Sequence, residues 1–172
     1  MGYKFNEYQI AVHELARLFA QKEVEPRGYD MDKNGWCQEL YDKYVETGLQ
    51  ATPIPEEYGG AGLGDVECAI IIHELAKADA GFAMSIEISW VCADMILKHG
   101  TEEQKKKYLT EIADGKLFAF CLTEPMAGSD ASNNKTVAVK DGDDYIINGR
   151  KCFITNGGIA DFYIVTAMTD KS

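Results

Sequence analysis

Residues 119–130 read Ala119-Phe120-Cys121-Leu122-Thr123-Glu124-Pro125-Met126-Ala127-Gly128-Ser129-Asp130, and the chain later reads Lys151-Cys152-Phe153-Ile154-Thr155-Asn156-Gly157-Gly158. Phe118 to Leu122 is apolar and aromatic, the composition of a buried strand. The strand breaks at Thr123-Glu124-Pro125, where Pro125 has no amide hydrogen and biases Glu124 toward extended backbone. Ala127-Gly128-Ser129 then leaves little side-chain bulk. Backbone amides there can approach a flat polar ligand, and the hydroxyls of Thr123 and Ser129 both donate and accept. Clusters of this kind often form plain turns. A plain turn gives no reason for the second segment.

Working outward, the chain before residue 117 reads as helices. Asn6 followed by Gln9 is a capping-box spacing, and Tyr8, Val12, Leu15 and Phe19 repeat at helical period, so a first helix is expected to about Glu23. Leu40, Tyr41, Tyr44 and Val45 predict a second helix ending near Gly48. Asp65 to Lys77 and Phe82 to Lys98 carry Ile70, Ile71, Leu75, Ile86, Val91, Met95 and Ile96, the expected bundle interior. Gly100 ends that run, and Thr101 with Gln104 caps a further helix to about Ala113. Pro53 to Gly64 is glycine-rich, but it lacks Gly-x-Gly-x-x-Gly spacing and a preceding strand, which argues against a phosphate loop.

After residue 130 the period changes to two. Val137 and Val139 alternate with Ala138 and Lys140, Asp141-Gly142-Asp143 predicts a turn, and Tyr145 to Ile147 the return strand. Asn148-Gly149 reads as a second hairpin signal leading into a strand over Lys151 to Thr155. Phe162 to Ala167 is a further apolar strand. A β unit of this extent leaves strand edges open, so the isolated chain is expected to aggregate or to pair its edges in an oligomer.

The two opening segments, in this order, resemble the flavin-contacting signatures of the acyl-CoA dehydrogenases, Leu-Thr-Glu-Pro-x-Ala-Gly-Ser-Asp and Trp-Ile-Thr-Asn-Gly. The Pro-x-x-Tyr-Gly-Gly run at Pro55 to Gly60 and the His99-Gly100-Thr101 junction extend the resemblance along the chain. It implies an α+β fold: an N-terminal all-α bundle over residues 1–116, then the first part of an antiparallel middle β domain over 117–172. The C-terminal helical domain would be absent.

The resemblance implies FAD as cofactor, with Phe120, Leu122, Thr123, Gly128, Ser129, Phe153, Ile154 and Thr155 at the flavin. Thr123 matches a residue that bonds the N5 and O4 region, and Ser129 one that also reaches the acyl-CoA substrate. An isoalloxazine carries N1, O2, O4 and N5 along its edge and needs such mixed partners once buried. Phe120 stands where Tyr is common and Phe153 where Trp is common. Both keep an aromatic face while losing the phenol or indole hydrogen bond. Asn133 replaces a small residue after the signature. Glu124 matches a residue that helps hold the loop.

The implied reaction is α,β-desaturation of an acyl-CoA thioester, in which a carboxylate base takes an α proton and the β hydrogen leaves as hydride. Electrons then pass to electron-transfer flavoprotein. In most members that base lies far beyond the middle domain, so no catalytic residue is expected in this chain and no turnover from it alone. The parent is expected to be a homotetramer. The run from Ile154 to Ser172 looks like bacterial short-chain, butyryl-type members. Two other readings stand beside this one: a flavin monooxygenase or oxidase on the same scaffold, and a non-enzymatic helical interaction module.

Composition bounds these readings. The chain has 172 residues, 46% of them hydrophobic, enough for one complete core and part of another. A formal net charge of −11 argues against nucleic acid as a partner. The basic run Lys105 to Lys107 reads as a solvated helix face. Five cysteines, Cys37, Cys68, Cys92, Cys121 and Cys152, form no Cys-x-x-Cys pair and read as free thiols of a reducing compartment. His13, His73 and His99 are scattered, so no metal site is expected. With no run of 18 apolar residues and no secretory or transit pattern, a cytoplasmic location without membrane contact is expected.

Overall fold

A computed structural model describes residues 4–169. The last residues of the run quoted above, Asp170 to Ser172, lie outside the described residues. Helix α1 spans Glu7–Phe19 and starts where the sequence places it: the Asn6 side chain accepts from the Gln9 amide at 2.8 Å, while Gln9 Oε1 accepts from the Asn6 amide at 3.1 Å. Its buried face differs from the expected stripe. Gln9, Ala16 and Phe19 are buried, whereas Tyr8 is 76% exposed and Leu15 is also exposed. The reason is polar pairing along the seam with α4 (Asp65–Ala78): Gln9 Nε2 donates to Glu67 Oε1 at 2.9 Å, and His13 Nε2 lies 3.2 Å from the buried Glu74 Oε1.

Beyond Phe19 the helix widens into a π turn over Ala20–Val24, tightens over Glu25–Arg27 and continues as α2, Gly28–Asn34. Helix α3 is Gln38–Glu46 and ends at Gly48 in the left-handed region. Helix α5, Ala80–His99, is N-capped by Asp79, whose side chain accepts from the Phe82 amide. Helix α6, Glu102–Ala113, opens with the Thr101 and Gln104 capping box.

Helix α5 packs against α4, α6 and the first strand, so it serves both cores. One core gathers Phe19, Tyr41, Tyr44, Leu75, Phe82 and Ile86; the other gathers Ile54, Cys92, Ile96, Leu109, Ile112 and Phe118. Val91, expected inside, is exposed, because α5 turns that stripe away from both cores. Among the described residues α5 is the one helix long and apolar enough to cross a membrane, and half of its length is buried in the fold.

The glycine-rich loop closes on itself. The amides of Gly60, Ala61, Gly62 and Leu63 donate to the carbonyls of Pro55, Ala51, Ile54 and Thr52. A Cβ on Gly60 would fall 1.9 Å from the Ile54 carbonyl oxygen, so only glycine fits. With those amides engaged internally, the loop has none of them to offer a phosphate.

The β part has two small sheets. Strand β2 (Val137–Asp141) pairs antiparallel with β3 (Asp144–Asn148), with Val139 opposite Ile146. Strand β1 (Phe118–Cys121) pairs with β4 (Phe162–Val165) in parallel, with Phe118 opposite Phe162. The bundle followed by a partial β unit is the expected α+β class. The antiparallel expectation holds for β2 and β3, whereas β1 and β4 are parallel because the chain makes a long crossover between them. Residues 151–155 form no strand, and Asn148-Gly149 is no hairpin turn. Gly149 serves close approach instead, since a Cβ there would meet Thr136 Oγ1 at 2.2 Å.

Candidate cofactor site

The loop after β1 is built around a buried carboxylate. Glu124 accepts from the Lys135 amide at 2.7 Å, the Thr136 amide at 2.9 Å, Thr136 Oγ1 at 2.5 Å and Lys151 Nζ at 3.0 Å. The Thr136 hydroxyl, then the Lys135 amide, the Lys151 ammonium and the Thr136 amide, hold its pKa down at about 2 against the opposing cost of burial. An ionised acid with its lone pairs so engaged is a poor proton acceptor. It organises the loop.

Lys151 completes the pair. Its side chain is 10% exposed and that of Glu124 4%, and its Nζ also donates to the Leu122 carbonyl at 3.1 Å and to Thr166 Oγ1 at 3.1 Å. The Thr166 hydroxyl in turn donates to the Cys121 carbonyl. One residue on, the Cys152 amide donates to the Thr123 carbonyl at 3.0 Å. The two segments singled out in the sequence are therefore hydrogen-bonded neighbours in space.

The eight expected flavin residues divide by exposure. Gly128 and Ser129 lie on the exposed loop, and nothing stands within 4 Å of where a Gly128 Cβ would sit. Phe153 is 93% exposed, whereas Phe120, Leu122, Thr123, Ile154 and Thr155 are partly buried. This set offers hydroxyls at Thr123, Ser129 and Thr155, a loop without bulk at Gly128, and an uncovered aromatic ring. Those features fit the mixed donor and acceptor edge and the apolar faces of an isoalloxazine. Cys121 is buried in β1 and burial raises its thiol pKa, which suits a packed side chain.

Sequence reasoning missed Lys151, Thr136 and Thr166 as members of this assembly. A lysine leading into Cys-Phe-Ile-Thr was the available signal, since an interior ammonium needs a carboxylate partner.

The model for the acyl-CoA dehydrogenase N-terminal domain matches residues 6–116, and that for the middle domain matches residues 119–172. The chain belongs to the acyl-CoA dehydrogenase family. The short-chain-specific acyl-CoA dehydrogenase of Clostridium acetobutylicum is 44% identical over all of this chain and 46% of its own length. Butyryl-CoA dehydrogenase from Megasphaera elsdenii superposes with a TM-score of 0.91 at 42% identity, over 99% of this chain and 46% of its own. A glutaryl-CoA dehydrogenase from Mycobacterium smegmatis, solved in complex with FADH2, gives a TM-score of 0.88 at 30% identity, over 96% and 44%. The chain spans about half the length of the acyl-CoA dehydrogenases it matches.

Proposed function

We propose that this chain supplies the front part of the flavin cradle of an FAD-dependent acyl-CoA dehydrogenase acting on short-chain acyl-CoA thioesters. The observation that carries the reading is the contact between the two signature segments, Cys152 amide to Thr123 carbonyl, which joins the strand end that leads to Ser129 to the segment that bears Thr155 and the exposed Phe153. In this reading Phe120, Leu122, Thr123, Gly128, Ser129, Phe153, Ile154 and Thr155 bind and orient the isoalloxazine, and Ser129 also meets the acyl-CoA. FAD, when bound, supplies the hydride acceptor of the desaturation.

No base is assigned here. The buried carboxylates Glu124 and Glu74 are both committed to ion pairs, with Lys151 and with Lys77. In this reading the chain alone binds flavin and does not desaturate substrate. Electron-transfer flavoprotein as acceptor, a homotetrameric parent, the cytoplasmic location and the division at about residue 116 belong to the same proposal.

Titration of FAD into the purified chain, followed by flavin fluorescence, tests it. One saturable site is expected, with no bleaching of the bound flavin by butyryl-CoA under anaerobic conditions. Absence of saturable binding would sink the cradle; bleaching would sink the claim that the base is missing.

A further inference from the structure

Two non-glycine residues have left-handed backbone among the described residues, and both fall in the second signature segment: Phe153 at φ 55° and Asn156 at φ 64°. For a bulky aromatic this conformation is uncommon and costs free energy, so it persists only where the surroundings fix it. The surroundings here are two buried side-chain anchors at either end of the crest. At the leading end, Lys151 ties the segment to the Leu122 carbonyl, Glu124 and Thr166.

At the trailing end, Asn156 is buried, and its Nδ2 donates to the Ser85 carbonyl on α5 at 2.8 Å and to the Phe118 carbonyl on β1 at 2.9 Å. Its backbone carbonyl also accepts from the Ile159 and Ala160 amides. The crest between the anchors is thus suspended from the first signature segment on one side and from the helical bundle on the other. Phe153 stands uncovered at its top.

We propose that Lys151 and Asn156 are positioning residues for the flavin, holding Phe153 to Thr155 in a strained, pre-formed conformation against the Thr123 to Ser129 loop. Neither needs to touch the cofactor. The inference rests on the flavin reading above. Pre-formation matters because a loop that must be ordered at binding subtracts its entropy cost from affinity.

The test compares FAD dissociation constants and visible flavin spectra of the chain with those of Lys151→Met, Lys151→Arg, Asn156→Gly and Leu75→Ala. Asn156→Gly relieves the backbone strain while removing the anchor, and Leu75→Ala destabilises the bundle core while removing none of the anchor hydrogen bonds. Positioning predicts that Lys151→Met and Asn156→Gly each weaken FAD at least about tenfold and shift the bound spectrum, since charge-assisted and buried hydrogen bonds are lost. Lys151→Arg should recover part of the affinity.

Leu75→Ala should keep the parent dissociation constant despite an equal or larger fall in melting temperature. Variants that bind FAD like the parent, or a Leu75→Ala that loses as much affinity as they do for the same fall in melting temperature, overturn the positioning role and leave the flavin reading intact. If the parent chain itself fails to bind FAD, both fall. Should Lys151→Met not fold, Asn156→Gly and Lys151→Arg decide.

Discussion

The helical bundle and the β2–β3 hairpin make opposite use of their apolar residues. In the bundle, Phe19, Tyr44, Leu75, Phe82 and Ile86 are buried together, and rings such as Phe19 and Tyr44 meet at 5.6 Å between centroids. In the hairpin every residue of β3 is exposed, including Tyr145, Ile146 and Ile147. The same residue types therefore stabilise one region and leave the other with open apolar surface. Hydrophobicity locates the strands, but stability comes from what covers them.

Substitutions can break or sharpen that contrast. Leu75→Ala, in the bundle core, should cost about 2–5 kcal/mol by thermal or denaturant unfolding, because it leaves a cavity where nothing relaxes freely. A loss below about 1 kcal/mol would mean that the bundle is more loosely packed than its burial implies.

Glu124 sharpens the contrast from the polar side. Its pKa is lowered from the usual carboxylate value to about 2, so its stabilising contribution is present above that usual value and is lost as pH falls through about 2. Glu124→Gln should flatten this acid-induced loss, read by amide exchange at Lys135 and Thr136. An unchanged acid profile would show that other carboxylates dominate.

Thr101→Ala removes the α6 capping bond to the Gln104 amide and should cost about 1 kcal/mol, read by the same unfolding measurement. Ile146→Lys on β3 should change unfolding free energy by no more than about 0.5 kcal/mol while reducing self-association in light scattering. If self-association is unaffected, the open hairpin is not the surface through which copies meet.

The parts legible from sequence are those where local chemistry and packing agree. The caps at Asn6 and Thr101, the apolar positions Ile70, Ile71, Leu75, Ile86 and Ile96 of α4 and α5, strand β1 and the hairpin turn at Gly142 fall where expected. Two of the misses share one cause, long-range polar contacts. Lys151 to Thr155 has the residue types of a strand, yet the lysine is drawn to Glu124 and the Leu122 carbonyl, and Phe153 turns left-handed.

Gln9 is buried on α1 in place of Tyr8 because Glu67 receives its amide. Helix α2 went unread because Gly28, Asp32 and Asn34 are weak helix formers and its face carries no apolar stripe; Asn34 Nδ2 to Asp30 and Lys33 over the Tyr29 ring at 4.4 Å support it instead. Of the candidate site, the sequence indicates the hydroxyls, the small-residue loop and the aromatic ring proposed to meet the flavin. The anchors behind them emerge only once the segments are folded together.

The parallel pairing of β1 with β4 also bears on the order in which the molecule assembles. During synthesis the six helices and β1 are made before Asn156 and Phe162, so the bundle can close while β1 has the Ser89 hydroxyl, bonded to the Phe118 amide, but lacks both the Asn156 side chain and β4. Pairing across so long a separation is slow compared with local helix formation. The nascent chain therefore passes through a stage in which a formed helical unit carries an unsatisfied strand, the stage at which a chaperone or a second nascent chain has most to bind.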